Sequence, residues 1–546
     1  MKSEKLLDVQ AKLVEMQQQS QELFRTVEQY QHILSTRLAN YSVYEEEYSL
    51  EMLPINRYKV VVEKLQLEKK EVYSYHEEGI VLLFGKCDRK IIAWIESLGL
   101  TAQQVPDNIF DSEMEAYFEQ SIVGVLGISK KGWSEDQCFG FVRQMFFAAK
   151  YTSITWYKKR TKPFFCVVTR LGGRFGIGSS DKEFVVGSLS GLVKTATREW
   201  QSNVSTHYID VCAQIKEKQL IECIDQEIRF GVEAEIGYTD TMQRVGLRLK
   251  EKYEYQLDKN KPTKDDVFLV SGGGRGITSL CVIEMAKKFQ CKFILFGRTE
   301  INEKVIDEYK DFSLEEIREL LLREKQANNM QIKYAKVNKE AREILAQLEI
   351  RRTLKEIRGV GSEVLYFSCD VRETKQLRAI IKEGGQKLGR ITGIIHGAGV
   401  LADKLLNKKT EEDFLEVIGV KYYGINNMMN EVGSDNVNFI FTFSSIAGFF
   451  GNFGQSDYSC GNEYLNHFVR YWKHKKPECK IMAINWGPWN AGMVDQALRT
   501  AMVRRGKILI QPDIGKLFFT DAFVKSMDEA TCQIIINDVV DLGGTV

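Results

Sequence analysis

The 546-residue sequence predicts an α/β fold in two consecutive units, preceded by a helix of coiled-coil character. Three observations carry that expectation. Short runs crowded with β-branched and aromatic residues alternate with stretches of helical spacing, as buried parallel strands alternate with the helices that connect them. An order of strand, loop, helix ending in Trp, strand occurs twice, in PFFCVVTR, GSLSGLVKTATREW and THYIDV, and again in NFIFTFSS, YSCGNEYLNHFVRYW and CKIMAINW. Residues 1–40 contain neither Gly nor Pro.

In that first segment Leu6, Val9, Leu13, Met16, Ser20, Leu23, Val27, Tyr30 and Leu34 recur by threes and fours among Gln, Glu and Lys. The spacing predicts a coiled-coil seam through which two copies would pair, or else an amphipathic helix lying on its own domain. Residues 41–260 form the first α/β unit, with GIVLLFG, SIVGVLGI, PFFCVVTR and THYIDV as buried strands. The polar stretch LDKNKPTKDD, 257–266, reads as a linker, and residues 261–546 form the second unit.

Composition narrows the function. Lys plus Arg (75) nearly cancel Asp plus Glu (74), so no global field favours nucleic acid or a membrane surface. Eleven cysteines without a CxxC, and no apolar leader or spanning run, suggest a cytoplasmic, reducing environment. The six histidines fall at no metal-ligand spacing, so no metal is expected.

The second unit opens with VFLVSGGGRGITSLCVIEMAKKF, a strand running into a Gly-rich turn and then a helix. Gly272, Gly274 and Gly276 let the backbone approach a pyrophosphate, and the helix that follows favours negative charge at its start. The next strand, KFILFGR, ends in Arg298 where an acidic residue would otherwise grip a ribose 2′-hydroxyl. An Arg there suits a 2′-phosphate and hence NADPH; the plainer reading is a solvated strand-end charge. Arg275, inside the turn, is placed to share that phosphate. VLYFSCD sets Asp370 where a carboxylate would accept from an adenine amino group, and GIIHGAGV presents Gly397, Ala398 and Gly399 beside the cofactor. His396 reads as a packing or hydrogen-bonding residue.

VNFIFTFSS then ends a buried strand in a Ser pair, and Gly448, Gly451 and Gly454 punctuate a loop. YSCGNEYLNHFVRYW resumes with helical spacing, so Tyr458 and Asn462 lie one turn apart. Ser445 ends the strand and Tyr458 begins the helix, and such a crossover brings two hydroxyls to one pocket. The first copy of the repeat has no Ser and Tyr at this spacing, so it keeps the architecture without the site.

SGGGRGI, HGAGV, Lys421 in VKYYG, SSIAG and YSCGN, and NWGPWNAGM together resemble the ketoreductase domains of modular polyketide synthases, within the short-chain dehydrogenase/reductase superfamily. LGGRFG and GSLSGLVKTATREW resemble that family's non-catalytic subdomain, and the charged segment 301–360 an insertion found in trans-acyltransferase and polyunsaturated fatty-acid systems. The resemblance implies two Rossmann-like subdomains, structural then catalytic. Tyr458 would be the acid, Lys421 the cation that lowers its pKa, Ser445 a second donor to the developing alkoxide, and Asn462 the holder of Lys421 or a proton-returning water. Ser271, Ile277 and Val371 would join the cofactor contacts, and Asp403, Phe450, Gln455 and Met493 the substrate face. Thr278 departs from the family by standing where a third Gly of the turn is usual. The chain reads LAD at 401–403 where D-type enzymes read LDD, and Phe450 stands where L-type enzymes carry Trp.

The implied activity is NADPH-dependent reduction of a ketoacyl thioester on the phosphopantetheine of an acyl carrier protein, among other polyketide synthase domains, giving a D-hydroxyl product. A small-molecule alcohol dehydrogenase and a dimerising scaffold without turnover are the other readings. The chain holds no evident carrier motif or condensing Cys-His-His set.

Overall fold

Two parallel sheets meet edge to edge through antiparallel strands, giving one continuous sheet of 15 strands among the described residues. The computed structural model describes residues 55–538, apart from 69, 160–161, 180, 252–255, 258–259, 329–332, 493–495, 505–506 and 527–530. The helix expected over 1–40 and Met493 therefore lie outside the described residues. The strands are β1 (Ile55–Lys64), β2 (Ile80–Gly85), β3 (Thr101–Gln104), β4 (Ile122–Ile128), β5 (Phe164–Thr169), β6 (Ser205–Val211), β7 (Glu235–Tyr238) and β8 (Arg244–Lys250). They continue with β9 (Gln256–Leu257), β10 (Val267–Ser271), β11 (Lys292–Gly297), β12 (Val364–Ser368), β13 (Ile391–His396), β14 (Phe439–Ser445), β15 (Lys480–Trp486), β16 (Lys525–Ser526) and β17 (Gln533–Asp538).

The sheet order is β12-β11-β10-β13-β14-β15-β17-β1-β8-β7-β6-β5-β4-β2-β3, and β9 pairs apart with β16. From β12 to β15 this is a doubly wound order, whose crevice opens where the order reverses, between β10 and β13. The first half runs β2, β4, β5, β6 as parallel neighbours, with β3 outside β2 and, among the described residues, no further strand beyond it, a shortened version of the same winding. All four strands expected in that half are present.

Apolar runs such as IVGVLGI and FFCVVT are buried along their whole length, because helices cover both faces of the sheet. The repeat seen in the sequence is also visible in three dimensions. The helix Leu189–Trp200 of the first copy packs on Ser456–Lys475 of the second, and a Cβ at Gly187 would strike the ring of His467. Between these helices lies a buried polar cluster. Lys194 is 3.4 Å from Glu235 and 3.8 Å from Glu463, and Arg470 donates to the Phe175 carbonyl and to Gln533.

One local expectation is corrected. Gly448 belongs to a five-residue helix, Ile446–Phe450, and not to a loop. It is small because the helix Ser456–Lys475 passes close by: a Cβ there would lie 3.0 Å from Asn462 Cβ and from the Glu463 amide. Gly451 and Gly454, with φ of 71° and 73°, do form the turn that follows.

Among its described residues the segment 301–360 folds as three helices, Glu303–Tyr309, Leu314–Ala327 and Tyr334–Gly359, around a small core of Tyr309, Ile317, Leu321, Val337, Ala341 and Ile344. Among the described residues no helix is long and apolar enough to cross a membrane.

Candidate active site

Parallel strands leave their carboxyl ends on one edge, and the sheet order fixes which residues meet there. Asp370, Arg298, the Gly-rich turn and Gly397 follow β12, β11, β10 and β13 in spatial sequence, and Ser445 is the last residue of the next strand, β14. Gly272 has φ of 69°, and a Cβ on it would come 3.0 Å from the Ala398 amide, so the ends of β10 and β13 nearly touch. Gly274 lies under Tyr366 and Ile350, at 2.9 and 3.0 Å from where its Cβ would be. Gly276, φ 68°, opens the helix Gly276–Phe289, which has Arg275 as its N-cap and no side-chain hydrogen bond capping it.

Free amides at that helix start fit a phosphate. The turn therefore has the form a dinucleotide needs. Thr278 is accommodated by a complementary gap: a Cβ on Gly397 would lie 2.6 Å from Thr278 Cγ2. Ile277 packs against the turn at Gly492, in the loop that leads toward Met493.

Ser271 is buried, 2.7 Å through its hydroxyl from His396 Nδ1, and its oxygen also accepts from the Ala398 amide. Burial holds the His396 imidazole well below its usual pKa, which suits a hydrogen-bonding role and not that of an acid. Arg298 is exposed, 3.8 Å from Glu416, a contact that solvent weakens. Arg275 is similarly open, 4.0 Å from Glu349.

Asp370 has a partner that sequence reasoning missed. Arg372 Nε donates to its Oδ1 at 3.0 Å and Nη2 to its Oδ2 at 2.8 Å, and the Arg372 amide also donates to Oδ1. Despite partial burial, these bonds hold the Asp370 carboxyl below its usual range. Val371 is buried, its carbonyl taken by Asn427.

The Ser pair divides its work by the alternation of a strand. Ser444 donates to the Asn462 carbonyl, fixing the helix Ser456–Lys475 on β14, while Ser445 faces the site. Ser445 Oγ accepts from the Ala447 amide at 3.2 Å, which leaves its proton to give. Tyr458 is the third residue of the helix, and Asn462 Nδ2 donates to its carbonyl at 2.8 Å. Asn462 Oδ1 is buried without a hydrogen-bond partner.

Burial pushes the Tyr458 hydroxyl above its ordinary pKa; hydrogen bonds from Ser445 and Asn462 offset part of this, and the Asp403 charge adds to it. Lys421, fully buried on Glu411–Val432, donates to the Phe443 carbonyl at 2.9 Å, and desolvation pulls its pKa down to about 7. Its stem passes Gly461, where a Cβ would be 3.3 Å from Lys421 Cγ.

Of the residues expected to face a substrate, Gln455 donates through Nε2 to Asp403 Oδ2 at 3.0 Å. Phe450 stacks edge-on against Phe449 at 4.9 Å, and its carbonyl accepts from Arg198 of the first half. A buried pair, Lys409 and Asp457, also went unread in the sequence; its only signal was an Asp immediately before the Tyr.

Residues 267–491 match the family model described as KR domain. The chain is similar to a polyunsaturated fatty acid synthase of Thraustochytrium sp., 32% identical over 375 residues, covering 65% of this chain and 13% of that protein. It is also similar to polyketide synthase PksL of Bacillus subtilis, 24% identical over 345 residues, 61% of this chain and 6% of that one. The chain thus spans a small part of either relative's length. Among solved structures, an N-terminal ketoreductase from the macrolactin assembly line aligns with TM-score 0.67 at 18% identity, over 93% of this chain and 97% of that one. A ketoreductase domain from the bacillaene assembly line aligns at 0.62 and 18%, over 89% and 99%. At such identity these two speak for the fold.

Proposed function

From the match of residues 267–491 to the KR domain model we propose that the chain reduces the keto group of an acyl thioester carried on an acyl carrier protein, using NADPH, as one part of a polyketide-type assembly line. The observation that carries this reading is the gathering of Ser445, Tyr458, Lys421 and Asn462 beside an uncapped Gly-rich turn on one sheet edge.

Gly272, Gly274, Gly276, Ser271 and Ile277 would hold the pyrophosphate, Arg298 with Arg275 the 2′-phosphate, Asp370 and Val371 the adenine, and Gly397, Ala398 and Gly399 the nicotinamide end. The bound cofactor supplies the hydride. Ser445 then donates to the ketone oxygen as charge grows there, and Tyr458 gives the proton. A charged Lys421 lowers the cost of leaving Tyr458 as phenolate. The unpartnered Asn462 Oδ1 holds the group, water or ammonium, through which the proton is replaced. The bonded Asp403 and Gln455, with Phe450 in place of Trp, favour entry of the acyl chain in the orientation that yields a D-hydroxyl. Two copies would associate through residues 1–40.

The test is NADPH oxidation with one ketoacyl chain presented on a carrier protein and as a free ketone. Faster carrier-bound turnover is expected; preference for the free ketone would favour a small-molecule dehydrogenase, and no oxidation of either a scaffold. Arg298→Ala should weaken NADPH by about 1.5–3 kcal/mol and leave NADH nearly untouched. Equal losses for both cofactors would make Arg298 a strand-end charge only.

A further inference from the structure

The loop that carries Asp403 and the helix that carries Tyr458 come from different parts of the chain, and a reductase that sets product configuration needs them in fixed register. We propose that the buried Lys409–Asp457 pair, braced from the first half by Glu199, is a positioning clamp that provides this register. The proposal rests on the ketoreductase reading above.

Lys409 Nζ donates to Asp457 Oδ1 at 2.6 Å, to Asp457 Oδ2 at 2.7 Å and to the Ala402 carbonyl at 2.6 Å. Its three protons are all used. Asp457 Oδ1 in turn accepts from the Tyr458 amide at 2.8 Å. One ammonium therefore joins the peptide before Asp403 to the carboxylate before Tyr458. Both side chains are sealed from solvent, at 0% and 1% exposure.

Glu199 adds the second tie. On the helix Leu189–Trp200, it accepts from the Leu406 amide at 2.8 Å and from the Gly454 amide at 3.0 Å, so a single carboxylate holds the Asp403 loop against the turn that precedes Gln455. The Lys404 amide donates to the Gly454 carbonyl between them. The half of the chain without a catalytic site thus reaches into the substrate face of the other.

Stability alone gives such an arrangement little reason to exist. Burying two charges costs more desolvation than an apolar pair of equal volume, so the pair gains nothing over packed hydrocarbon except directed bonds. Those bonds end on the two segments that must agree in position. Neither Lys409 nor Asp457 is placed on the reacting atoms, so both are positioning residues.

The test compares wild type, Asp457→Asn, Glu199→Gln and the double variant Lys409→Met/Asp457→Asn in the full chain. Melting temperature, NADPH affinity, kcat, KM and the D to L product ratio are read for each. Asp457→Asn leaves Lys409 charged and unpaired and should lower the melting temperature; the double variant, with no buried charge, should recover it. The double variant should still lose kcat by about ten- to a hundred-fold, because misplacing the donor is costly, with NADPH affinity kept and the product ratio eroded. Glu199→Gln should erode the product ratio with a smaller loss of kcat. A double variant with wild-type kcat and product ratio overturns the clamp. A wild-type chain that does not reduce the thioester overturns the ketoreductase reading and the clamp with it, so the two failures are distinguishable.

Discussion

Lys421 shows the conflict between stability and chemistry in a single side chain. The proposed reduction wants its ammonium beside Tyr458, yet it is fully buried and its pKa falls to about 7. In the unfolded chain the same group keeps its proton to roughly pH 10. The folded state is therefore penalised fully below about pH 7, and the penalty shrinks as the pH rises from about 7 to about 10. Lys421→Met should raise the melting temperature more at about pH 6 than at about pH 9 while removing most turnover. A variant less stable than wild type at both pH values contradicts this. At this scale the sequence revealed residues whose meaning is local. The glycines of the turn, Ser445 and Tyr458 are set by the strand and helix they end or begin. Lys409 on Asp457 was not legible, because a charge pair 48 residues apart leaves no periodicity to read, and Arg372 on Asp370 was not, because two residues of separation in a turn do not fix whether the side chains meet.

Among the elements, the helix that follows the Gly-rich turn and the end of β13 interlock at Thr278 and Gly397. Thr278 is buried and fills the space that Gly397 leaves free of a side chain. Gly397→Ala should therefore overpack the contact and cost about 1–3 kcal/mol in stability, together with much of the NADPH affinity. Adding Thr278→Ala should restore both, since it removes the methyl and hydroxyl that the new Cβ meets. Additive losses in the double variant would show that the two positions are independent. The buried runs that became β10, β11, β13 and β14 were readable from composition. The helix Ile446–Phe450 was not, because five residues with one glycine in their middle and another after them carry too little pattern to separate a turn of helix from a loop.

On the scale of the whole molecule, the joint between the halves is the feature the sequence hid. β1 lies antiparallel between β8 and β17, with Ile55 opposite Asp538 and Lys64 opposite Val245. One partner comes from the middle of the chain and the other from near its end, and no local signal marks such a pairing. Arg57, buried in β1, donates to Asp521 of the helix Pro512–Val524 at 2.8 Å and adds a second link across the joint. Deleting residues 1–40 should convert a dimer to a monomer and leave melting and turnover intact, whereas deleting residues 1–64 should abolish both by removing the central strand. Sedimentation and calorimetry of the two truncations check this, and a full-length chain that sediments as a monomer refutes the seam. The proposed reduction of a carrier-bound ketone stands or falls with Tyr458. The most direct measurement is the rate of NADPH oxidation with a β-ketoacyl carrier protein, for wild type and Tyr458→Phe. Turnover by wild type and its near-complete loss in the variant, with NADPH binding unchanged, is the result we expect; a Tyr458→Phe variant that reduces the thioester at a near-normal rate would contradict it.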